Sequence, residues 1–426
     1  MAETPELQAV RLGALELWPP VVLAPMAGVT DYPFRALCRR FARQGLARVG
    51  NSRGNTPGLF VSEMITARPL VEGDRKTARL ASFGPDESPR SLQLYGVDPH
   101  HVGEAVKRLV GEGRVDHIDM NFGCPVPKIT RRGGGSAIPA KPKLLAAIVR
   151  AAVASAGSVP VTIKFRKGLD DRLLTYRDAG RIGQEEGCAA VGLHARTAEQ
   201  FYEDGADWQA IAELVALLRI PVFGNGDIWE AHDAVRMIAQ TGCAGVIIGR
   251  GCLGRPWLFA ELAELLSGET PSEPPRFGVV ADVMREHAET MVAWYSRSDA
   301  ELGLEPGDAE PPSRSRGRPR ERSTKPRIGP EQLAMRAFRK HASWYTKGFR
   351  GSAALRELLM HVDSLTDLEA ALAGCDGDEP FPPDALRAVR GKRGRLPRVV
   401  LPDGYLDSLD DDCPPGPEAE QLSSGG

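Results

Sequence analysis

"IPVFGNGDIWEAHDAVRMIAQTGCAGVIIGRG", Ile220 to Gly251, decides how this chain folds. Two short apolar runs are each followed at once by glycine and polar residues, with a helical stretch between them. Such a β–α–β unit requires a parallel sheet. Runs of the same kind recur upstream, at VVLAPM, LFVSEMI, SLQLYG, HIDMNFG, VPVTIKFR and AAVGLHAR, starting from Val21. Eight runs are what a closed parallel barrel needs. The segments between them are helix-like: DYPFRALCRRFA opens on an Asp cap, while HHVGEAVKRLVGEG and PKLLAAIVRAAVASAG stop at glycine. The span Val21–Arg250, about 230 residues, is close to the usual size of a (β/α)8 barrel. A doubly wound open sheet is the competing architecture, but it usually has fewer strands. The expectation is an α/β fold: a (β/α)8 TIM barrel followed by a small C-terminal α-helical domain.

The chain has 426 residues, of which 42% are hydrophobic, enough for a large core. It contains no apolar run of eighteen residues, and its start lacks a basic region followed by an apolar one. The reading is therefore a soluble protein without signal peptide or membrane span. Seven scattered cysteines include no C-x-x-C pair and show neither zinc nor disulfide spacing. That fits a reducing cytoplasm and no metal site. Net charge is only −2, but it is unevenly spread. Arginines and lysines crowd Arg314–Arg350, whereas DSLDDDCPPGPEAEQ near the end is acidic. Such asymmetry is compatible with nucleic acid on one face or with a solvated linker.

By organisation, residues 1–268 form the barrel and 275–375 the helical domain, joined by a Pro-rich connection. An Arg/Pro-rich insert at 299–330 is expected to be disordered. Residues 376–426 are expected to be a mobile tail, and Gln44–Gly58 a surface loop inserted before the second strand.

In a barrel of this kind the strand C-termini carry the chemistry. Here they present Met26, Glu63, Gln93 with Tyr95, Asn121 with Cys124, Lys164 with Arg166, His194 with Arg196, Asn225 with Asp227, and Arg250. Any one of these could be a structural polar residue, but eight converging on one rim are hard to explain that way. The FGNGDI and IIGRG turns, with Arg250, read as a phosphate grip built from glycine backbone and helix N-termini. Lys164 in TIKFR points into the barrel mouth, where it suits an electron-rich cofactor ring or a Schiff base. Gln93 both donates and accepts, matching an imide edge. Together these groups outline a flavin mononucleotide site. Cys124 follows a strand and precedes Lys128, Arg131, Arg132 and three glycines, a placement for a reactive thiol beside a loop able to close.

The stretches APMAGVTDYPFR, SEMITA, QLYGVDP, IDMNFGCPVPKI, TIKFRKG, GLHARTAEQFY, WQAIAELV, IPVFGNGDI and GVIIGRGCLGRPWLF, in this order, resemble the tRNA-dihydrouridine synthases, closest to their bacterial B-type branch. Similarity runs from about Val21 to Phe259 and returns at AMRAFRKHASWYTKGF. The resemblance implies FMN-dependent reduction of specific tRNA uridines to 5,6-dihydrouridine, with NADPH as electron donor. It places Pro25, Met26 and Ala27 along the flavin ring, Gln93 and Lys164 in hydrogen bonds to it, and Asn225, Gly226, Asp227, Gly249 and Arg250 around its phosphate side. Cys124 corresponds to the proton donor. Asn121, His194 and Arg196 match positions facing the flipped uridine or a phosphate, with His194 counted among the cofactor contacts and Arg166 with Lys128 among those to substrate. Arg339, Lys340, His341, Trp344 and Tyr345 would grasp tRNA, and the protein is expected to act as a monomer. The loop end Ser136-Ala137-Ile138-Pro139 departs from the leucine-rich family pattern, which bears on loop closure. A small-molecule FMN-barrel dehydrogenase of the dihydroorotate type is the alternative, and the basic helical appendage argues against it.

Overall fold

The computed structural model describes residues 7–50, 53–304 and 328–420. A short antiparallel hairpin, β1 (Val10–Leu12) and β2 (Leu15–Leu17), comes first. Eight parallel strands then close a barrel: β3 (Val21–Leu23), β4 (Leu59–Thr66), β5 (Ser91–Tyr95), β6 (His117–Phe122), β7 (Val161–Arg166), β8 (Ala190–His194), β9 (Val222–Asn225) and β10 (Gly245–Ile248). They are ordered in sequence, and β10 pairs with β3 to complete the ring. Each of the eight apolar runs is one barrel strand. The runs are apolar almost throughout because both faces are covered, the inner by the barrel core and the outer by helices. Sequence reading missed the hairpin, whose Val10, Leu12 and Leu17 pack against Val22, Leu59, Val61 and Phe223. These residues close the bottom of the barrel and leave its other end open.

The helix opening at Asp31, whose carboxylate accepts from the N–H of Phe34, runs from Tyr32 to Val49. Gln44–Val49 therefore belong to a helix and not to the expected surface loop. Phe41, Ala42 and Gly45 continue its buried face against the helix Leu258–Leu266, and the left-handed Gly50 ends it. Residues 51–52 lie outside the described residues, and Thr56 then pairs with Leu17 on the way to β4.

Helices Phe277–Tyr295, Pro330–Tyr345, Ser352–Leu359 and Leu365–Leu372 make up the C-terminal helical region. Most of the Arg/Pro-rich insert, 305–327, lies outside the described residues. Its first residues are packed, since Asp299 pairs with both Arg75 and Arg79. No helix among the described residues is long and apolar enough to cross a membrane.

Two fully buried histidines sit where the helical region meets the barrel. The His287 and His341 rings lie 4.6 Å apart, with Phe34 of the barrel 5.7 and 5.5 Å away and Phe338 beside both. Burial pushes His287 down to about 3 and His341 well below its ordinary value, aided by Lys340 nearby. Both are neutral when folded and protonate readily when unfolded, so their contribution to stability is intact above about 6.5 and declines as pH falls below it. Each is expected to cost about 1.4 kcal/mol per pH unit below 6.5. Thermal unfolding between pH 7.5 and 5 checks this, and a flat profile would contradict it.

The stretch expected to be a mobile tail is instead laid against the molecule over residues 376–420. Phe381 and Tyr405 are buried, the Tyr405 hydroxyl donates to the Gly133 carbonyl, and Lys141 pairs with Asp411. The Glu420 carboxylate, also buried, accepts from the N–H of Val97 and contacts His101. Sequence periodicity could not find this segment because it is held by separated anchors and forms almost no regular structure.

Candidate active site

The strand register assembles the site. It pairs Gln93 with Asp119, Asn121 with Lys164, Arg166 with His194, and His194 with Asn225, all at the open end. All of these but Asp119, which lies deeper in the barrel, line a cavity of about 340 Å³. Of the residues expected there, Pro25, Met26, Ala27, Gln93, Asn121, Cys124, Lys164, Arg166, His194, Arg196, Asn225, Gly226, Asp227, Gly249, Arg250, Lys340 and Trp344 line it.

Cys124 stands at its edge, half-buried, on a turn fixed from two sides. The Asn121 side-chain oxygen accepts from the N–H groups of Gly123 and Cys124, both at 3.0 Å. Arg166 Nε donates to the Gly123 carbonyl at 3.1 Å. Burial pushes the thiol up, opposed by the Val126 N–H and by the charges of Arg166 and Lys392. The thiol is therefore protonated at neutral pH, and cations stand ready to stabilise the thiolate.

A buried chain of polar groups runs beneath it. Asn121 Nδ2 donates to Gln93 Oε1 (2.8 Å), Gln93 Nε2 to Asp119 Oδ2 (2.7 Å), and Thr162 Oγ1 to Asp119 Oδ1 (2.8 Å). His117 links Thr162 to Ser91. The resemblance has Asn121 facing substrate, but its oxygen accepts two hydrogen bonds and its amide nitrogen reaches Gln93 and the Met64 sulfur. It lines the cavity and also holds the Cys124 turn. Gln93 retains one N–H and one lone pair for a ligand. Burial raises Asp119 to about 6. Sequence reading passed over Asp119, although its place two residues before Asn121 on β6 puts both on the inner face.

Lys164 makes no hydrogen bond or ion pair among the described residues, and burial with the neighbouring Arg166 lowers it to about 8. Burial, with Arg166, Lys164, Arg196 and Arg250 around it, holds His194 far below its usual range, so its imidazole is neutral. Arg196 is anchored by the carbonyls of Glu203 and Asp204 and by Asp227 Oδ1 at 2.6 Å, yet its Nη1 is buried with no partner. Asp227 thus orients an arginine at the cavity wall. Gly226 adopts φ 131°, and a Cβ there would stand 2.6 Å from that of Ala206. Arg250 lies over the Tyr202 and Trp229 rings at 4.5 and 5.2 Å. Four cations against the single carboxylate of Asp227 make this side of the cavity a site for an anion.

Other expected contacts lie outside the cavity lining. His341 is fully buried at the domain junction, because the helical face that carries it packs on Phe34. Arg339 is tied to Asp363 at 2.5 Å and to the Val362 carbonyl. Lys128 is exposed and outside the cavity lining. Tyr345 is likewise buried, with its hydroxyl against His287. The triple glycine does not form an open lid. Gly133–Gly135 are buried, and a Cβ on Gly134 would come within 2.0 Å of the Tyr95 hydroxyl, so this loop is glycine-rich because it is tightly packed.

Comparison with known proteins agrees with this architecture. The family model "Dihydrouridine synthase (Dus)" matches residues 22–302. The "Probable tRNA-dihydrouridine synthase" of Mycobacterium tuberculosis strain ATCC 25618 / H37Rv is 47% identical over 421 residues, covering 98% of this chain and 97% of that one. Its namesake from Mycobacterium leprae strain TN is 46% identical over 420 residues, 95% and 100% of the two chains. "tRNA-dihydrouridine synthase B" of Xanthomonas axonopodis pv. citri strain 306 is 34% identical over 363 residues, 85% and 94%. With barrel, cavity and these matches in agreement, the chain belongs to the dihydrouridine synthase (Dus) family.

Proposed function

We propose that this cavity binds FMN and that the protein reduces particular tRNA uridines to 5,6-dihydrouridine, drawing electrons from NADPH. One observation carries the reading: a thiol, Cys124, and two unpartnered donors, Lys164 Nζ and Arg196 Nη1, line the same cavity. The residues present fit the flavin. Arg196 Nη1 and the Gly226 turn suit its phosphate, the Lys164 ammonium suits electron-rich ring or ribityl oxygens, and Pro25, Met26 and Ala27 offer an apolar shelf. When bound and reduced, the flavin supplies hydride to carbon 6 of the uracil.

Cys124 gives its Sγ proton to carbon 5, and the thiolate left behind is stabilised by Arg166 and Lys392 until it regains a proton from water. Asn121 and Arg166 hold the turn that aims the thiol. A uridine stacked in folded RNA must be flipped out to reach it, at about a few kcal/mol recovered from phosphate contacts at the rim.

The test is direct. The purified protein should carry flavin absorbance and form dihydrouridine in unmodified tRNA with NADPH, as read by nucleoside mass spectrometry. Colourless protein, or NADPH oxidation without product, overturns the reading. The pH profile follows from the thiol. Because the acid form is active and burial raises its pKa, product formation should persist through neutral pH and decline only above about 8.5. Iodoacetamide alkylation of Cys124 should accelerate over that same range.

A further inference from the structure

The C-terminal arm brings one more group to the cavity. Its backbone is pinned at three points: Lys347 Nζ donates to the Val389 carbonyl (2.6 Å), Arg250 Nη1 to that of Lys392 (3.2 Å), and the Tyr202 N–H to that of Gly394 (3.2 Å). The arm thus spans from the helical region to the barrel rim, and Gly391 and Lys392 form part of the wall that Cys124 also lines. Three neighbouring basic side chains are engaged. Arg390 is buried and donates to the Trp344 carbonyl, Arg393 donates to the Val389 carbonyl, and Arg395 pairs with Glu199 and Asp204. The Lys392 side chain alone among these four has no hydrogen bond or ion pair among the described residues, and it is exposed at the mouth.

A backbone fixed on both sides and a free ammonium over an entrance amount to a positioned anion contact. We propose that Lys392 binds a backbone phosphate of the RNA substrate next to the flipped uridine, so that the C-terminal arm is part of the substrate-binding surface. A base inserted to Cys124 leaves its flanking phosphates at the rim, where Lys392 stands. The effect of Lys392 on the thiol agrees with this proximity. The inference rests on the tRNA-reducing function proposed above.

The experiment compares wild type, Lys392→Ala and Lys392→Arg as flavin-loaded full-length proteins. Unmodified tRNA binding is measured by filter retention from 50 to 200 mM salt, and KM and kcat are measured for dihydrouridine formation. Loss of one phosphate contact should lower the slope of log affinity against log salt by roughly one. It should also raise the tRNA KM about threefold at low salt. Arginine should restore both. If wild type forms dihydrouridine while Lys392→Ala matches it in slope and KM, the arm's role is overturned and the proposed function stands. Loss of flavin from Lys392→Ala on dialysis would assign the ammonium to the cofactor and also overturn it. Wild type inactive on tRNA would remove the underlying reading.

Discussion

Replacing Cys124 with alanine should lower dihydrouridine formation by about 10²–10⁴-fold, the usual contribution of a positioned general acid. Flavin content, NADPH oxidation and thermal stability should be little changed. The Sγ atom is half-buried and faces the cavity, so its removal empties little packed volume. The turn itself is held through backbone groups, by Asn121 and Arg166, and these bonds survive the substitution. Serine would fill the same space with a far weaker acid and should rescue little. Single-turnover assays with pre-reduced enzyme isolate the step from cofactor reduction. Unchanged product formation in the alanine variant would strip Cys124 of its role.

The largest expected loss of stability lies outside the cavity. Glu87 and Arg35, each 1% exposed, form a two-pronged pair with Nε–Oε1 at 2.6 Å and Nη2–Oε2 at 2.8 Å. The third arm of Arg35 donates to the Thr30 carbonyl, at the end of the loop that carries Pro25, Met26 and Ala27. Glu87→Ala should cost about 3–5 kcal/mol, because it strands a buried guanidinium, with Arg39 nearby worsening the repulsion. Glu87→Gln should recover part of this by keeping one acceptor. Chemical denaturation measures both, and a cost below about 1 kcal/mol would show that the pair is not anchoring the loop. Neither residue drew notice in the sequence, since a buried ion pair 52 positions apart leaves no local pattern.

The legible parts of the chain were those governed by periodicity or by motif. Eight apolar runs became eight strands because a doubly covered parallel sheet demands such runs. Most of the strand-end polar residues converged, Glu63 and Tyr95 excepted, because parallel strands direct all their C-termini to one side. Reading failed where a residue's partner decided its role. His341 sits in a basic, aromatic helix that invites an RNA contact, but the packing of Phe34 determines which face of that helix is hidden. Asn121 was placed correctly, yet only the turn geometry shows its oxygen engaged by Gly123 and Cys124. The glycines at 133–135 suggested motion, whereas the close approach of Tyr95 and Tyr405 explains them as a need for space. The arm carrying Lys392 was invisible for a related reason, having no helical or strand period.

Barrel closure has a consequence for synthesis. β3 finds one of its two neighbours only in β10, through Val21 opposite Val246. Roughly 225 residues must leave the ribosome between those two, which takes about 10–45 s at ~5–20 residues per second. For that interval the nascent chain presents an unpaired apolar edge, and a holding chaperone that binds extended hydrophobic segments would have its longest opportunity there.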